Sequence, residues 1–110
     1  MNRHLWAAII GLLFAAPFSC AAAGQVFNGQ TLTYIATGWG QEGVYVNTSS
    51  NNHSTDGCGP SFMIEPSNPM FKEMVALLLS AYQSGSKVNL YVDGCANVTA
   101  MKLKAVALSK

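Results

Sequence analysis

Two cysteines limit what this chain can fold into more than any other feature. Cys58 and Cys95 lie in the body of a 110-residue sequence, and whether they pair depends on where the chain is delivered. The N-terminus addresses that question. Met1-Asn2-Arg3-His4 carries one fixed positive charge, Leu5 to Phe18 runs without a charged residue, and small residues follow from Ser19 to Gly24. This is the order of a secretory signal. The apolar run is shorter than the roughly 20 residues that span a bilayer, and Pro17 interrupts it, which argues against a permanent anchor. Ala21-Ala22-Ala23 offers a small-x-small cleavage site. The sequence therefore predicts a leader over 1–23, a mature start at Gly24, and a periplasmic or secreted product with no integral span. A competing route makes Cys20 the lipid-attachment residue of a bacterial lipoprotein; Pro17, standing where such sites usually carry an aliphatic, disfavours it.

Either route removes Cys20 from pairing. An even pair in an oxidising compartment predicts a Cys58–Cys95 disulfide, the alternative being two buried free thiols. What remains, 24–110, is one domain, small enough that its core alone leaves it marginal. On the chain-entropy account, closing the loop between the cysteines stabilises it by about 4 kcal/mol.

The full chain has a formal charge of +1. Arg3 departs with the leader, so Lys72, Lys87, Lys102, Lys104 and Lys110 balance Glu42, Asp56, Glu65, Glu73 and Asp93. A neutral domain has no electrostatic footprint for nucleic acid or an anionic membrane. It also lacks charge repulsion against self-association. No repeat or interdomain linker interrupts the mature chain.

Gln30 to Ala36 and Gly43 to Asn47 are β-branched and aromatic, and Gly38-Trp39-Gly40 lies between them, which predicts a hairpin. Thr48 to Gly59 is polar and turn-forming, a surface loop that delivers Cys58 to a third strand over Pro60 to Glu65. Asn68-Pro69 predicts a helix start, with Asn68 as N-cap. Phe71, Met74, Val75, Leu78 and Tyr82 recur at helical spacing, and Leu77, Leu79 and Ala81 widen the stripe until Ser84-Gly85 ends it. So wide a stripe predicts a nearly buried helix, under a sheet or against another subunit. Lys87 to Asp93 alternates with Val88, Leu90 and Val92 inward. A last strand over Met101 to Leu108 is expected to turn Met101, Leu103, Ala105 and Ala107 to one face and Lys102 and Lys104 to the other. The result is a mainly β domain with one helix, in the order β-β-β-α-β-β, which is the order of a small five-stranded OB-like barrel. An open five-stranded antiparallel sheet with one packed helix is the rival.

The stretch Ala76 to Cys95, with its helix, Ser-Gly-x-Lys-Val turn and Gly-Cys ending, together with the upstream Cys58, resembles a group of small secreted bacterial proteins. It is also similar to the binding subunits of AB5 toxins, notably the subtilase-cytotoxin and pertussis-like ones. The resemblance covers Cys58 to Leu108. It implies an OB fold, a pentameric homo-oligomer and recognition of cell-surface glycans, but no glycan-contacting motif is present to carry a binding residue over.

Candidate chemistry is sparse. His53, the one histidine of the mature chain, shares a polar loop with Asp56, yet a hydrolase or metal reading would need a nucleophile and a third orienting group. No acid spacing or glycine-rich phosphate loop nominates a catalytic, metal or cofactor site, so a non-enzymatic chain without a cofactor is expected. Trp39, at the hairpin tip, is the foremost candidate ligand-binding residue, because an exposed indole stacks on sugar rings or anchors a protein partner; capping of the core is the competing role. Tyr45 and Tyr91, outward on their strands, are candidates to extend that surface, although cross-strand packing explains them equally well. Three Asn-x-Ser/Thr motifs, at Asn47, Asn52 and Asn97, are incidental in Asn- and Ser-rich loops. The sequence thus points to an exported binding module for a glycan or protein partner. The alternative is a periplasmic or envelope accessory or inhibitor protein.

Overall fold

The alternation of Val88, Leu90 and Val92 sets the centre of the structure, where all three are at most 1% exposed. The computed structural model describes residues 24–38 and 41–109; the expected leader over 1–23, including Cys20, and also Trp39, Gly40 and Lys110, lie outside the described residues. In chain order the elements are β1 Gln25–Gln30, β2 Leu32–Thr37, β3 Val44–Thr48, β4 Ser61–Ile64, α1 Phe71–Ser84, β5 Lys87–Asn97 and β6 Ala100–Ser109.

The strands form one sheet in the order β1-β5-β6-β4-β3-β2. Neighbours are antiparallel except β4 and β6, which run parallel. The end strands β1 and β2 are consecutive in the chain and separated only by Thr31, so the sheet must curl back toward itself. No ladder joins them, and the sheet does not close into a hydrogen-bonded barrel. This mainly β, one-helix arrangement fits a partly open OB-like fold and keeps the open edge of the rival sheet.

There are six strands where the sequence predicts five. Gln25–Gln30 escapes a pattern-based reading because Asn28-Gly29 reads as a turn. Instead Gly29, at φ 64°, sits at a register shift within the β1–β5 ladder. Its N–H donates to Asn89 Oδ1 at 2.9 Å. Pairing with β5, rather than intrinsic propensity, makes this segment a strand.

Phe27 reaches from β1 onto Phe62 of β4 in an edge-to-face contact, with centroids 5.6 Å apart. Phe62, Ile64, Val46, Leu78, Leu90, Met101 and Leu103 make up the fully buried centre of the core. The expected face of β6 holds only in its first half. Met101 and Leu103 are buried, but Ala105 and Ala107 are exposed, and Val106 packs against the core. The register explains the switch. Val92 pairs with Leu103 and Tyr91 with Ala105, leaving Lys104 as an extra residue that flips the following side chains across the sheet.

The helix starts later than expected. Asn68 is not the N-cap; Met70 takes that place without a side-chain cap. Asn68 Oδ1 instead accepts the Met70 N–H at 2.8 Å, forming a turn before the first helical residue. The end is as predicted. Gly85 adopts φ 73° and its N–H donates to the Ala81 carbonyl at 2.8 Å, a left-handed cap that glycine adopts without strain. Within one copy the helix is covered along one stripe rather than all round. Met74, Leu78 and Ala81 face the core, whereas Leu79 is 45% and Tyr82 48% exposed, and Leu77 is also exposed. A curled six-stranded sheet offers one helix a narrow seat, so one stripe is covered and its neighbour is not.

Cys58, just before β4, and Cys95, late in β5, form the expected disulfide, with Cα atoms 5.9 Å apart. No helix among the described residues is long and apolar enough to cross a membrane.

Candidate functional site

Of the aromatic candidates, the β2–β3 hairpin carries Tyr45. Thr37 pairs with Val44 and Ala36 with Tyr45, so the tip spans 38–43. Gly43 fixes its exit. A Cβ there would lie 2.5 Å from the Ile64 carbonyl oxygen and from Met63 Cε, and φ is 140°, so only glycine lets β3 approach β4 this closely. Trp39 falls within the tip but outside the described residues.

Tyr45 alternates with buried Val44 and Val46 and therefore faces away from the core. Its ring is half-buried, and its hydroxyl is held. Asn97 Nδ2 donates to Tyr45 Oη at 3.3 Å and to Gln41 Oε1 at 3.1 Å. Asn97 Oδ1 in turn accepts the Thr99 N–H at 2.9 Å and the Thr99 hydroxyl at 3.0 Å. This bonding fixes the Asn97 amide and, through it, the hairpin base. Beside Gln41 opens a surface cavity of about 470 Å³ lined by Gln41, Glu42, Glu65, Pro66 and Ser67. Glu65 is partly occupied by Lys102, 3.8 Å away, in a half-exposed pair of small energetic weight. A polar, open cleft next to a fixed tyrosine suits hydrogen bonding to a polyhydroxylated or peptide ligand better than enclosure of an apolar one.

Tyr91 sits elsewhere. It pairs with Val26 on one side and Ala105 on the other, so β6 and β4 lie between its strand and that of Tyr45. Its ring lies against Gly24, where a Cβ would come within 2.5 Å of the aromatic carbons. The structure thus brings Tyr45, Gln41 and Asn97 together and leaves Tyr91 on a separate part of the outer face. Gln41 was not singled out from sequence, and Asn97 only as an incidental Asn-x-Thr motif, because their partnership depends on a hairpin and the end of β5, far apart in the chain.

His53 and Asp56 are exposed in the loop between β3 and β4. Among the described residues, no three His, Cys, Asp or Glu side chains group as a metal-binding set. The Asn47 amide is likewise engaged, accepting from the Ser61 hydroxyl at 2.6 Å.

The fold is shared with a chain from a solved structure of the subtilase cytotoxin SubAB assembly. The two align with a TM-score of 0.56 and 19% sequence identity, over 82% of this chain and 90% of that one. No family model matches the chain, and no curated protein matches it.

Proposed function

We propose that this chain is an exported, non-enzymatic binding module of the toxin B-subunit kind, working as a homo-oligomer and engaging a cell-surface glycan or protein through the hairpin that carries Trp39 and Tyr45. The observation that carries this reading is the fold likeness to a chain of a toxin assembly over most of both chains. Two features of the surface support it. The apolar stripe of α1 that the domain leaves uncovered gives a second copy something to bury. The Tyr45–Asn97–Gln41 cluster, beside an open polar cleft, gives a sugar or a peptide directional partners.

A glycan array probed with the mature protein tests the ligand. Binding that falls about tenfold or more in Trp39→Ala and in Tyr45→Ala is expected, because loss of a stacking aromatic at a binding centre costs on the order of 2 kcal/mol. Silence of the wild type on glycans, with a defined protein partner bound through the same two residues, would replace the sugar with a protein ligand. Binding unaffected by both substitutions would move the site off the hairpin.

A further inference from the structure

The two sulfurs of the disulfide have unlike surroundings. Cys58 is 2% exposed. Cys95 is exposed on β5 and, with Asp56, Gly57, Cys58, Asn97 and Val98, lines a surface cavity of about 370 Å³. Val98, at the turn after β5, lines it and is 83% exposed. On the inner side lies Ser54, the buried polar residue of the loop. Its Oγ is 3.1 Å from Cys58 Sγ. A disulfide sulfur has no proton to give, so the hydroxyl donates. The turn that holds this contact is itself bonded: Ser54 N–H donates to the Cys58 carbonyl and Gly57 N–H to the Ser54 carbonyl, each at 2.9 Å.

Thiol–disulfide exchange requires a thiolate to reach one sulfur while the other departs with negative charge. Here the more exposed cysteine of the pair is Cys95, and the sulfur with a hydrogen-bond donor waiting is that of Cys58. We propose that Cys95 is a thiol-exchange site for small thiols. The incoming thiolate attacks Cys95 Sγ; the new sulfur–sulfur bond forms as the Cys58–Cys95 bond breaks, and the electron pair leaves on Cys58 Sγ. The small thiol is oxidised to a mixed disulfide on Cys95, and Cys58 is reduced. The Cys58 thiolate accepts the Ser54 hydroxyl. Once protonated by water, it can turn its proton to the Gly94 carbonyl, which lies 3.8 Å away. Return attack by Cys58 on Cys95 restores the original bond and releases the thiol.

Exchange would also loosen the loop that holds β1. Within that loop the Thr55 N–H donates to Gln25 Oε1 at 2.6 Å, and Asn52 Nδ2 donates to Gln30 Oε1 at 3.0 Å. Cys58 is the cross-link of this strap, so its release leaves the far end held by the hydrogen bonds of Gly59 to Val98 and Ser61 to Thr99.

The test is regiochemical. The mature, folded protein is incubated with reduced glutathione, quenched with iodoacetamide and mapped by peptide mass spectrometry. Glutathione on Cys95 with the alkyl group on Cys58 is expected. Glutathione on Cys58, equal labelling of both, or reaction only when denaturant is added would overturn the proposal. Ser54→Ala is expected to slow the native reaction about fivefold without moving the adduct, since it removes the donor to the departing sulfur; an unchanged rate in a folded Ser54→Ala protein counts against the assigned role. Val98→Trp leaves Ser54 intact and narrows the approach, so it should slow the reaction while Cys95 remains the labelled residue. An undiminished rate in that variant would contradict attack through the cavity.

Discussion

Helix α1 carries two apolar stripes side by side, and the domain covers only one. Met74, Leu78 and Ala81, spaced i, i+4 and i+7, are at most 3% exposed. Val75, Leu79 and Tyr82 follow the same spacing one position on; Val75 is half-buried, and the other two are nearly half exposed. The stripes are alike in composition, so hydrophobicity does not decide which is buried. The sheet does. The first stripe meets the core side chains of β6, β2 and β5, whereas the second extends past the seat they offer.

Substitutions along the helix sharpen the contrast. Leu78→Ala removes a fully buried side chain from the centre of the packed stripe and should cost about 3 kcal/mol, read as a lower midpoint in urea unfolding. Gly85→Ala, which forces a side chain into the left-handed cap at φ 73°, should cost about 1 kcal/mol in the same assay. Asn68→Ala, which frees the Met70 N–H, should cost on the order of 0.5–1 kcal/mol. Leu79→Ser should change the stability of the isolated domain by less than about 0.5 kcal/mol, since it alters an exposed position. A loss as large as that of Leu78→Ala would break the comparison, because it would mean that the outer stripe is already packed within one copy.

The same helix shows what could and could not be read from the sequence. Its end at Ser84-Gly85 was legible because a left-handed cap is a local demand that glycine meets alone. Its start was displaced because Asn68 can bond its own neighbours as a turn as readily as it can cap. How much of it one copy covers was not legible, since periodicity reports where apolar residues lie and not how much sheet is there to receive them. The sheet repeats the pattern. β5 was legible from the alternation of Val88, Leu90 and Val92, all facing one core. β1 was missed because its Asn28-Gly29 pair looks like a turn until β5 supplies its partner. The second half of β6 was assigned to the wrong face because the extra residue, Lys104, leaves no mark on composition or alternation. The disulfide was accessible from parity and compartment alone. The Tyr45–Asn97–Gln41 cluster was not, because it joins residues more than 50 positions apart. The unlike surroundings of the two sulfurs came only with the placement of Ser54.

The homo-oligomer of the proposed function depends on the outer stripe, and sedimentation velocity of the mature protein over a wide concentration range tests it directly. The account predicts a discrete oligomer for the wild type, shifting to monomer in the double variant Leu79→Ser/Tyr82→Ser while circular dichroism stays close to that of the wild type and the urea midpoint falls only by what the lost association contributed. A wild-type protein that sediments as a single monomeric species at every concentration would contradict it.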